Sequence, residues 1–360
     1  KALTTANDLA NVLALTTGKV TADVTSLTAA ELVTALADEK TVNALTVTVK
    51  DDAAATTAAD LKILDAKTSV TVDASLVTAI TGTAAELKTV LAAKTITLDT
   101  NAVAVTVDGK VSAADLNTIA KATGGVVTAE VEGSAAALNA ALKEVSSDNV
   151  ITVTLTGTTA TAKDLKELAT KTSKTIDASG IETITGTLAD VTAALAAVNE
   201  APDVNVTITG PVTVAEINAI VTTGVIKATL EGSATELATL TTSNSDLLTL
   251  KVTGTTATAT QLIAIDAATS VKVNASAVTS ITDTAANLKT IYASKTISGL
   301  GNEAVTITGA PAAADVNAIL KATTGIVTAT VSDTAANLNA LLKDAKATDK
   351  LTLKIGRAHV

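Results

Sequence analysis

The chain has 360 residues, of which 47% are hydrophobic and 17% are charged, and its formal net charge is −10. Phe, Trp, Met and Cys are absent and Tyr292 is the only aromatic residue, so a core must be built from Ala, Val, Leu and Ile. This composition excludes disulfides and thiolate metal sites, is too apolar for a disordered chain, and argues against a nucleic-acid partner. No apolar run reaches the length of about 18 residues that predicts a membrane span.

A short phrase, Ser/Thr-Ala-x-Asp/Glu-Leu, recurs along the chain and predicts helix starts. Its hydroxyl can accept from the backbone amide three residues on, and a side chain there, such as Asp115 or Glu216, can reach back. Apolar residues follow at helical spacing, and we expect several helices to stop near glycines such as Gly124 and Gly224. The predicted starts, 20 to 29 residues apart, are Thr5, Thr28, Thr57, Thr83, Ser112, Ser134, Thr161, Thr187, Thr213, Ser233, Thr258, Thr284, the variant Ala312, and Thr334.

Segments that alternate apolar residues with threonines lie between these starts and predict strands. Ile151, Val153 and Leu155 alternate with threonines, and residues 204–209 and 248–253 follow the same pattern. Strands that alternate with helices predict parallel pairing, here within one sheet, with right-handed crossovers. The predicted fold class is therefore α/β, a repetitive parallel β-α solenoid of about 14 units of roughly 25 residues.

A longer period of about 100 residues lies over the short one. Residues 72–75 (Val-Asp-Ala-Ser) lead to residues 80–83 (Ile-Thr-Gly-Thr), and similar pairs of segments begin at Ile176 and Val273. Every fourth unit is thus alike, which indicates duplication of a four-unit block. We expect residues 1–354 to form one continuous solenoid, because no Pro- or Ser-rich linker separates the blocks. A string of separate α/β domains is the alternative.

The last six residues differ in composition from the rest of the chain. The one Arg and the one His, Arg357 and His359, both lie within residues 355–360, a string that resembles the translation of a sequencing-library adapter. We therefore expect residues 355–360 to be a non-native tail and the rest to be a fragment of a longer chain. His359 is not expected to have a catalytic role.

Residues 291–308, with the Val-Asp-Ala-Ser and Thr-Gly-Thr-Ala-Ala phrases, resemble the repeats of giant cell-surface proteins of marine cyanobacteria. The helix-start phrase extends the resemblance along most of the chain, and it is close around residues 270–340. The resemblance implies a very long exported surface protein with a structural, adhesive or motility-related role. It carries no catalytic residues.

The acidic side chains suggest a calcium ladder, because each unit contributes about one acid. Calcium requires six to eight oxygen ligands, however, and helix capping accounts for these acids. Asp73 and Asp177 become Asn274 in the third copy of the longer repeat, which fits a turn residue better than a metal ligand. We therefore predict no metal site.

The remaining candidates for chemistry also have structural explanations. Asp51 and Asp52 form a lone acidic pair without a histidine, and we expect a solvated loop. Gly299 and Gly301 complete no phosphate-loop motif and predict a turn. A Ser or Thr nucleophile needs a base, and no unit stands out as supplying one. The sequence therefore predicts no enzyme, with no catalytic or cofactor-binding residue and no cofactor.

Threonine rows are the most distinctive predicted surface. If strands stack in register, Thr46, Thr152, Thr207 and Thr249 would form a regular array of hydroxyl and methyl groups, which suits ice or carbohydrate contact. Thr also favours exposed strands in general, and the strict Thr-x-Thr pattern that ice binding favours is interrupted in several units.

These observations predict a non-catalytic structural or spacer repeat segment of a large extracellular or cell-surface protein. Its expected partners are neighbouring repeats, with the cell envelope or surface glycans as further candidates. One alternative is an adhesin-type segment with weak glycan or surface binding through the Thr-rich strand faces. Others are a calcium-binding or ice-binding repeat and, from another class, a hydrolase-type enzyme module.

Overall fold

The computed structural model describes residues 5–38, 41–199 and 203–355, and in these ranges helices alternate with strands in an α/β arrangement. The helices are α1 (Ala6–Ala14), α2 (Ala29–Ala35), α3 (Ala58–Lys67), α4 (Ala84–Ala92), α5 (Ala113–Ala122), α6 (Ala135–Ala141), α7 (Ala162–Ala169), α8 (Leu188–Ala197), α9 (Val214–Asn218), α10 (Ala234–Leu237), α11 (Ala259–Ala267), α12 (Ala285–Ala293), α13 (Ala313–Ala322) and α14 (Ala335–Leu341). The strands are β1 (Thr21–Leu27), β2 (Ala44–Val49), β3 (Thr56–Thr57), β4 (Val72–Ala74), β5 (Ala79–Gly82), β6 (Ile96–Leu98), β7 (Ala104–Val111), β8 (Val127–Gly133), β9 (Val150–Leu155), β10 (Thr159–Thr161), β11 (Ile176–Asp177), β12 (Thr183–Gly186), β13 (Val198–Asn199), β14 (Asn205–Ile208), β15 (Ile226–Gly232), β16 (Leu247–Val252), β17 (Thr256–Thr258), β18 (Val273–Asn274), β19 (Ser280–Thr284), β20 (Ile297–Ser298), β21 (Ala304–Thr308), β22 (Val327–Asp333) and β23 (Lys350–Ile355). None of the helices in these ranges is long and apolar enough to cross a membrane.

Each described helix begins one residue after a position predicted from the sequence. At the start of α4, Thr83 Oγ1 accepts from Glu86 N at 3.4 Å, and Glu86 Oε2 accepts from Thr83 N at 3.0 Å. These reciprocal bonds satisfy amides that have no partner within the helix. Ala312 has no hydroxyl, and there Asp333 Oδ2 accepts from Ala313 N at 3.4 Å instead. The helix starts are therefore set by local hydrogen bonding. At Ala312 an aspartate from the next repeat supplies the missing acceptor.

The glycines expected to end helices serve a different purpose. α5 ends with Thr123 in extended backbone as its C-cap, and neither Gly124 nor Gly224 has a positive φ. A Cβ atom on Gly124 would lie 2.8 Å from Asn101 O, and one on Gly224 would lie 2.2 Å from Val204 O. These two glycines are required because successive passages of the chain approach closely there, not because the helix ends in a left-handed residue.

The chain divides into two compact units, residues 1–182 with 193–201, and residues 183–192 with 202–360. In the first unit, one sheet has the strand order β1-β2-β4-β6 and another the order β13-β11-β9-β8-β7-β5-β3. In the second unit, one sheet runs β12-β14-β15-β16-β18-β20 and another runs β17-β19-β21-β22-β23. The pairing of these described strands is parallel, as predicted. The expectation of one sheet is wrong, because the described strands form four.

The sheets are separate because some strand passages are broken in two by a side-chain turn. After β4, Asp73 Oδ1 accepts from Ser75 N at 3.0 Å, and the chain then passes from the sheet that contains β4 to the sheet that contains β5. Asn274 makes the same turn with Ser276 at 3.0 Å between β18 and β19. The Val-Asp-Ala-Ser and Val-Asn-Ala-Ser phrases thus mark points at which a strand changes sheet.

The core of each unit lies between its strands and its helices and is aliphatic, as the composition requires. In β9, Ile151, Val153 and Leu155 are buried, and Leu165 and Leu168 of α7 are buried with them. Each such side chain contributes about 1.5–3 kcal/mol when it is removed from water. Stability is therefore spread over many small contributions along the chain.

Threonines at or just beyond several helix ends, most of them buried, link a strand to the repeat that follows it. The hydroxyl of Thr172 donates to Ile151 O at 2.6 Å and accepts from Ile151 N at 3.1 Å. β11, the neighbour of β9 on this side, pairs with it only at Thr154, so the hydroxyl satisfies strand groups that β11 does not reach. The same donation to a carbonyl in a strand, or directly before one, is made by Thr68 to Leu45, Thr123 to Val103, Thr222 to Val204, Thr269 to Leu248 and Thr323 to Glu303.

Asn or Asp residues just before strands make a second link, to the start of the preceding long strand. Asn149 Oδ1 accepts from Val127 N at 2.8 Å, and Asp246 Oδ1 accepts from Ile226 N at 2.8 Å. The other acceptors of this kind are Asn43 Oδ1 for Val20 N and Asp349 Oδ1 for Val327 N. Because a buried N–H group needs a partner, these side chains favour the stacked arrangement over a slipped one.

We predict that Thr172→Val lowers the free energy of unfolding by about 1–3 kcal/mol, because it leaves the Ile151 N–H and C=O groups without partners. Valine keeps the shape of threonine, so the change tests the hydroxyl alone. Thr152→Val, on the exposed face of β9, is the matched control and should change stability by less than about 0.5 kcal/mol. Urea unfolding followed by circular dichroism measures both, and equal midpoints for the two variants would contradict the linking role.

Candidate functional site

Threonine rows do cross the exposed strand face, one in each unit. In the first unit, Thr57, Thr81, Thr106 and Thr128 lie opposite one another on β3, β5, β7 and β8. Neighbouring strands are about 4.8 Å apart, so these side chains repeat at that spacing. The row of the second unit consists of Thr258, Thr282, Thr306 and Thr328.

The predicted row is not the one that forms. Thr46, Thr152, Thr207 and Thr249 belong to strands of three different sheets. Their partners on a neighbouring strand are Asp23, Glu130, Lys227 and Thr229, respectively. Equivalent positions within each strand were not enough to identify the row, because the register between strands decides which side chains become neighbours.

The strand face combines these hydroxyls with paired charges. Some row members already have partners, since Thr81 Oγ1 donates to Asp108 Oδ1 at 3.0 Å. Thr106, Thr282 and Thr306 are exposed. In the sheet of the first row, Lys110 of β7 pairs with Glu132 of β8. In the second unit, Lys251 of β16 pairs with Glu231 of β15, in the sheet that does not carry the row. The face therefore offers short polar groups without an aromatic platform, which favours weak, distributed contacts over a single strong one.

The acidic pair singled out from the sequence shapes a loop. Asp51 accepts from Thr78 N at 3.0 Å and from Thr78 Oγ1 at 2.8 Å, and these bonds hold the pKa of Asp51 below its usual range. Asp52 Oδ1 accepts from Ala54 N at 3.0 Å. Asp51 thus ties its loop to Thr78, 27 residues further along the chain, whereas Asp52 closes a local turn.

The acids of the longer repeat are also turn residues. The Oδ1 atoms of Asp73, Asp177 and Asn274 each accept from the amide of the serine two residues on, at 3.0 Å in all three cases. Bonds from Ser75 keep the pKa of Asp73 below its usual range. The turn needs only an acceptor oxygen, which explains why Asn replaces Asp. Within the described residues no three His, Cys, Asp or Glu side chains come together as metal ligands, so the geometry lends no support to a calcium ladder.

Gly299 and Gly301 form a turn whose backbone amide is bonded by a carboxylate of the same chain. Gly299 and Gly301 have φ values of +87° and +126°, in the region that favours glycine. A Cβ atom on Gly299 would lie 2.5 Å from Ser276 Cα. The Gly301 amide donates to Glu303 Oε1 at 2.6 Å, so it is directed at a carboxylate of the chain.

A pair formed by the half-buried Tyr292 and the buried Glu303 is a feature that the sequence analysis missed. Glu303 is 0% exposed, and the Tyr292 hydroxyl donates to its Oε2 atom at 2.9 Å. Burial, together with the Glu303 charge, raises the pKa of Tyr292 well above its usual range, so the phenol keeps its proton and donates. Leu91 and Val103 hold the matching positions in the first unit. The sequence did contain a signal for this pair. Tyr292 is the only aromatic residue of the chain, and nearby Glu303 is an acid where the first unit has Val103.

Two short helices leave a groove on the helical side of the second unit. α9 has five residues and α10 has four, whereas the matching α5 and α6 have ten and seven. The resulting cavity of about 580 Å³ is lined by Asn218, Glu231 and Glu236, among others. Asn218 Nδ2 donates to Thr239 O at 2.8 Å, Glu236 caps its own helix, and Glu231 pairs with Lys251. The groove thus has volume, while these polar groups are already bonded within the protein.

We predict that Tyr292→Phe lowers the free energy of unfolding by about 2–4 kcal/mol, because it deprives a buried carboxylate of a partner. The double variant Tyr292→Leu with Glu303→Val restores the side chains found at Leu91 and Val103. It should lie within about 1 kcal/mol of the wild type.

Urea unfolding of the wild type, Tyr292→Leu, Glu303→Val and the double variant gives the coupling energy between the two positions. Additive effects of the two single substitutions would show that the pair does not act as a unit.

No known protein-family profile matches the chain, and no curated protein is significantly similar to it. A function must therefore follow from the geometry of the chain's own residues. In the part of the chain that the structure describes, that geometry includes helix caps, side-chain turns, links between strands, two threonine rows and a groove.

Proposed function

We propose that the chain is a non-catalytic, structural repeat segment of a large extracellular or cell-surface protein. The observation that carries the proposal is the use of its polar side chains. Acids cap helices and close turns, as Glu86 and Asp73 do, while Thr172 and Asn149 link one strand to the next. Side chains committed to stacking in this way support a role in building an extended polypeptide surface.

The finer architecture belongs to the same proposal. Each unit is a parallel βα solenoid whose repeats contain about 25 residues, and residues 1–354 act as one continuous segment. Support comes from the parallel pairing of successive strands and from links that connect each repeat to its neighbour. In such an array stability is close to a sum of repeat and nearest-neighbour terms. The cell-surface location rests on the resemblance of residues 291–308 described above.

Pulling the chain by its ends in a single-molecule force experiment tests this proposal. A continuous stack should lengthen in many steps of one or a few repeats, and one repeat of about 25 residues releases about 85 Å when extended. Thr172→Val should lower the force of one step, whereas the control Thr152→Val should leave every step unchanged. A few uniform steps of about 350 Å, the length of a 100-residue domain, would instead show separate domains.

Urea melts of two fragments give an independent check on the same point. Residues 83–182, about four repeats, should unfold at a lower urea concentration than residues 83–283, about eight repeats, because interior interfaces add stability. Equal midpoints would contradict the continuous solenoid and leave a string of domains.

A second candidate function is weak glycan or surface contact, as in an adhesin. The in-register rows favour it, because Thr106 and Thr306 present hydroxyl and methyl groups at a regular spacing on an exposed face. Sugars carry hydroxyls that such groups can bond, and many weak contacts along a long array add up.

We predict that replacing Thr106, Thr128 and Thr306 by alanine weakens binding to an array of bacterial surface glycans at least about fivefold through lost multivalency. Alanine at Thr89 and Thr118, which are exposed on helices, is the matched control and should leave binding unchanged. Wild-type protein that binds no glycan but inhibits ice recrystallisation would favour the ice-binding alternative.

A further inference from the structure

Part of β15 in the second unit lacks a paired strand on one side. The Val206 amide of β14 donates to Val225 O, directly before β15, at 2.8 Å. Alternate residues of a parallel strand bond the same neighbour, so Thr229 and Glu231 also direct their N–H and C=O groups towards β14. Among the described residues, however, the pairing of β14 with β15 stops at Lys227. The backbone groups of Thr229 and Glu231 therefore face a gap.

This gap is bounded on both sides by the second unit. Residues 210–212 pass along one side, Thr229 and Glu231 lie on the other, and with Ile208 they line a cavity of about 530 Å³. Thr229 and Glu231 are exposed, so the cavity is open to solvent. We call the gap between residues 210–212 and residues 229–231 the seam.

The first unit closes the same gap with its own chain. Lys110 and Val111 hold the positions of residues 211–212 there, and both pair with β8. The register of this pairing directs the Val111 amide to the Glu130 carbonyl. The molecule itself thus shows that an extended segment fits beside this strand.

Proline accounts for the open state of the seam. Pro211 fixes its φ angle at about −65°, whereas a parallel strand needs about −120°. The chain at Pro211 therefore cannot pair with β15 in the way that Lys110 pairs with β8.

The last copy of this passage also has a proline, Pro311, yet its strands are joined further along. The pairing of β21 with β22 continues to Ile307, one residue beyond the matching end of β14. Asp333 then bonds the Ala313 amide through its side chain. Gly232 holds the position of Asp333 beside the seam and has no side chain to make this bond. Of these three copies, the middle one therefore has the least closed passage.

Carboxylates beside the seam favour a basic side chain in the segment that fills it. In the first unit Lys110 pairs with Glu132 of β8. Glu231 holds the position of Glu132, and it lines both the seam and the groove between α9 and α10, which Glu236 also lines. Lys251, the cation that already pairs with Glu231, lies on β16, on the opposite side of β15 from the seam. A lysine or arginine that enters the seam would therefore meet negative charge.

We propose that the seam binds a short extended peptide segment of a partner protein, which pairs parallel to β15 and places a basic residue opposite Thr229. In such strand addition the main-chain hydrogen bonds supply affinity, and side-chain contacts supply selectivity. A folded second copy fits less well, because the seam is bounded on both sides, whereas an edge strand of a folded copy brings its sheet and helices with it. The inference goes beyond the structural role and does not depend on it.

The probe is the acetylated and amidated peptide Gly-Lys-Val-Ser, the sequence of residues 109–112. Its titration into the isotope-labelled wild-type chain, followed by NMR, should give saturable shifts of the Thr229 and Glu231 amides. N-methylation of the peptide valine removes the donor for the Thr229 carbonyl and should weaken binding at least about threefold. Glutamate in place of the peptide lysine should also weaken binding at least about threefold.

Pro211→Lys introduces the residue of the closed copy. It should slow hydrogen exchange of the Glu231 amide at least about tenfold and abolish the peptide-induced shifts, because the chain itself then fills the seam. Pro311→Lys is the matched control, and it should change neither the exchange of the Glu231 amide nor peptide binding.

The absence of saturable shifts at Thr229 and Glu231 would overturn the proposal, as would equal binding of the N-methylated peptide. Undiminished peptide binding to Pro211→Lys with a protected Glu231 amide would overturn it as well. Wild-type dimers in sedimentation that protect the Glu231 amide would show that a second copy fills the seam, which contradicts a partner peptide. The peptide controls use the wild-type chain, so the test does not depend on the folding of a variant.

Discussion

A parallel strand that is longer than its neighbour leaves backbone N–H and C=O groups without a ladder partner, and stacking of βα repeats depends on satisfying them. In this protein buried threonine hydroxyls do so. Thr172 bonds both groups of Ile151 before β11 begins, and Thr68 does the same for Leu45. Where they occur, these bonds hold the end of a helix against the preceding strand, and so they fix where the following strand begins.

The absence of large side chains makes these links more important. A core of Ala, Val, Leu and Ile gains little from any one residue, so specificity of packing has to come from groups with directional bonds. Asn149 and Asp246 supply such bonds to the preceding strand, and glycines such as Gly125 allow close approach, since a Cβ atom there would lie 2.1 Å from Val103 O. At Glu303 the scheme is kept, since the Thr323 hydroxyl donates to the Glu303 carbonyl oxygen, and the hydrogen bond from Tyr292 to the Glu303 carboxylate is added to it.

The use of polar groups for bonds within the chain also determines the character of the surfaces. Polar groups that close turns and cap helices are already bonded within the chain, which supports a structural role rather than catalysis. Among the described residues the strand face remains available, and there the register aligns threonines in two rows. This face suits repeated weak contacts. It follows from the geometry of parallel repeats.

The features that the sequence determined by itself are those in which cause and effect lie within a few residues. A cap joins a residue to the amide three positions on, and a side-chain turn joins Asp73 to the amide two positions on. Strand alternation likewise needs only neighbouring residues, so helix starts, parallel α/β character and turn residues were predictable. The aliphatic, cysteine-free composition also defined the kind of core in advance.

Tertiary structure decided everything that joins distant residues. Thr172 and Ile151 are 21 residues apart, and nothing local distinguishes this threonine from the many exposed ones. The number of sheets depends on where broken passages such as β4 and β5 find partners, and the threonine rows depend on register, which a shift of one residue would invert. The burial of Glu303 likewise follows from a tyrosine 11 residues away. Local patterns could not reveal these features, because their energies come from groups that meet only when one repeat has packed on the next.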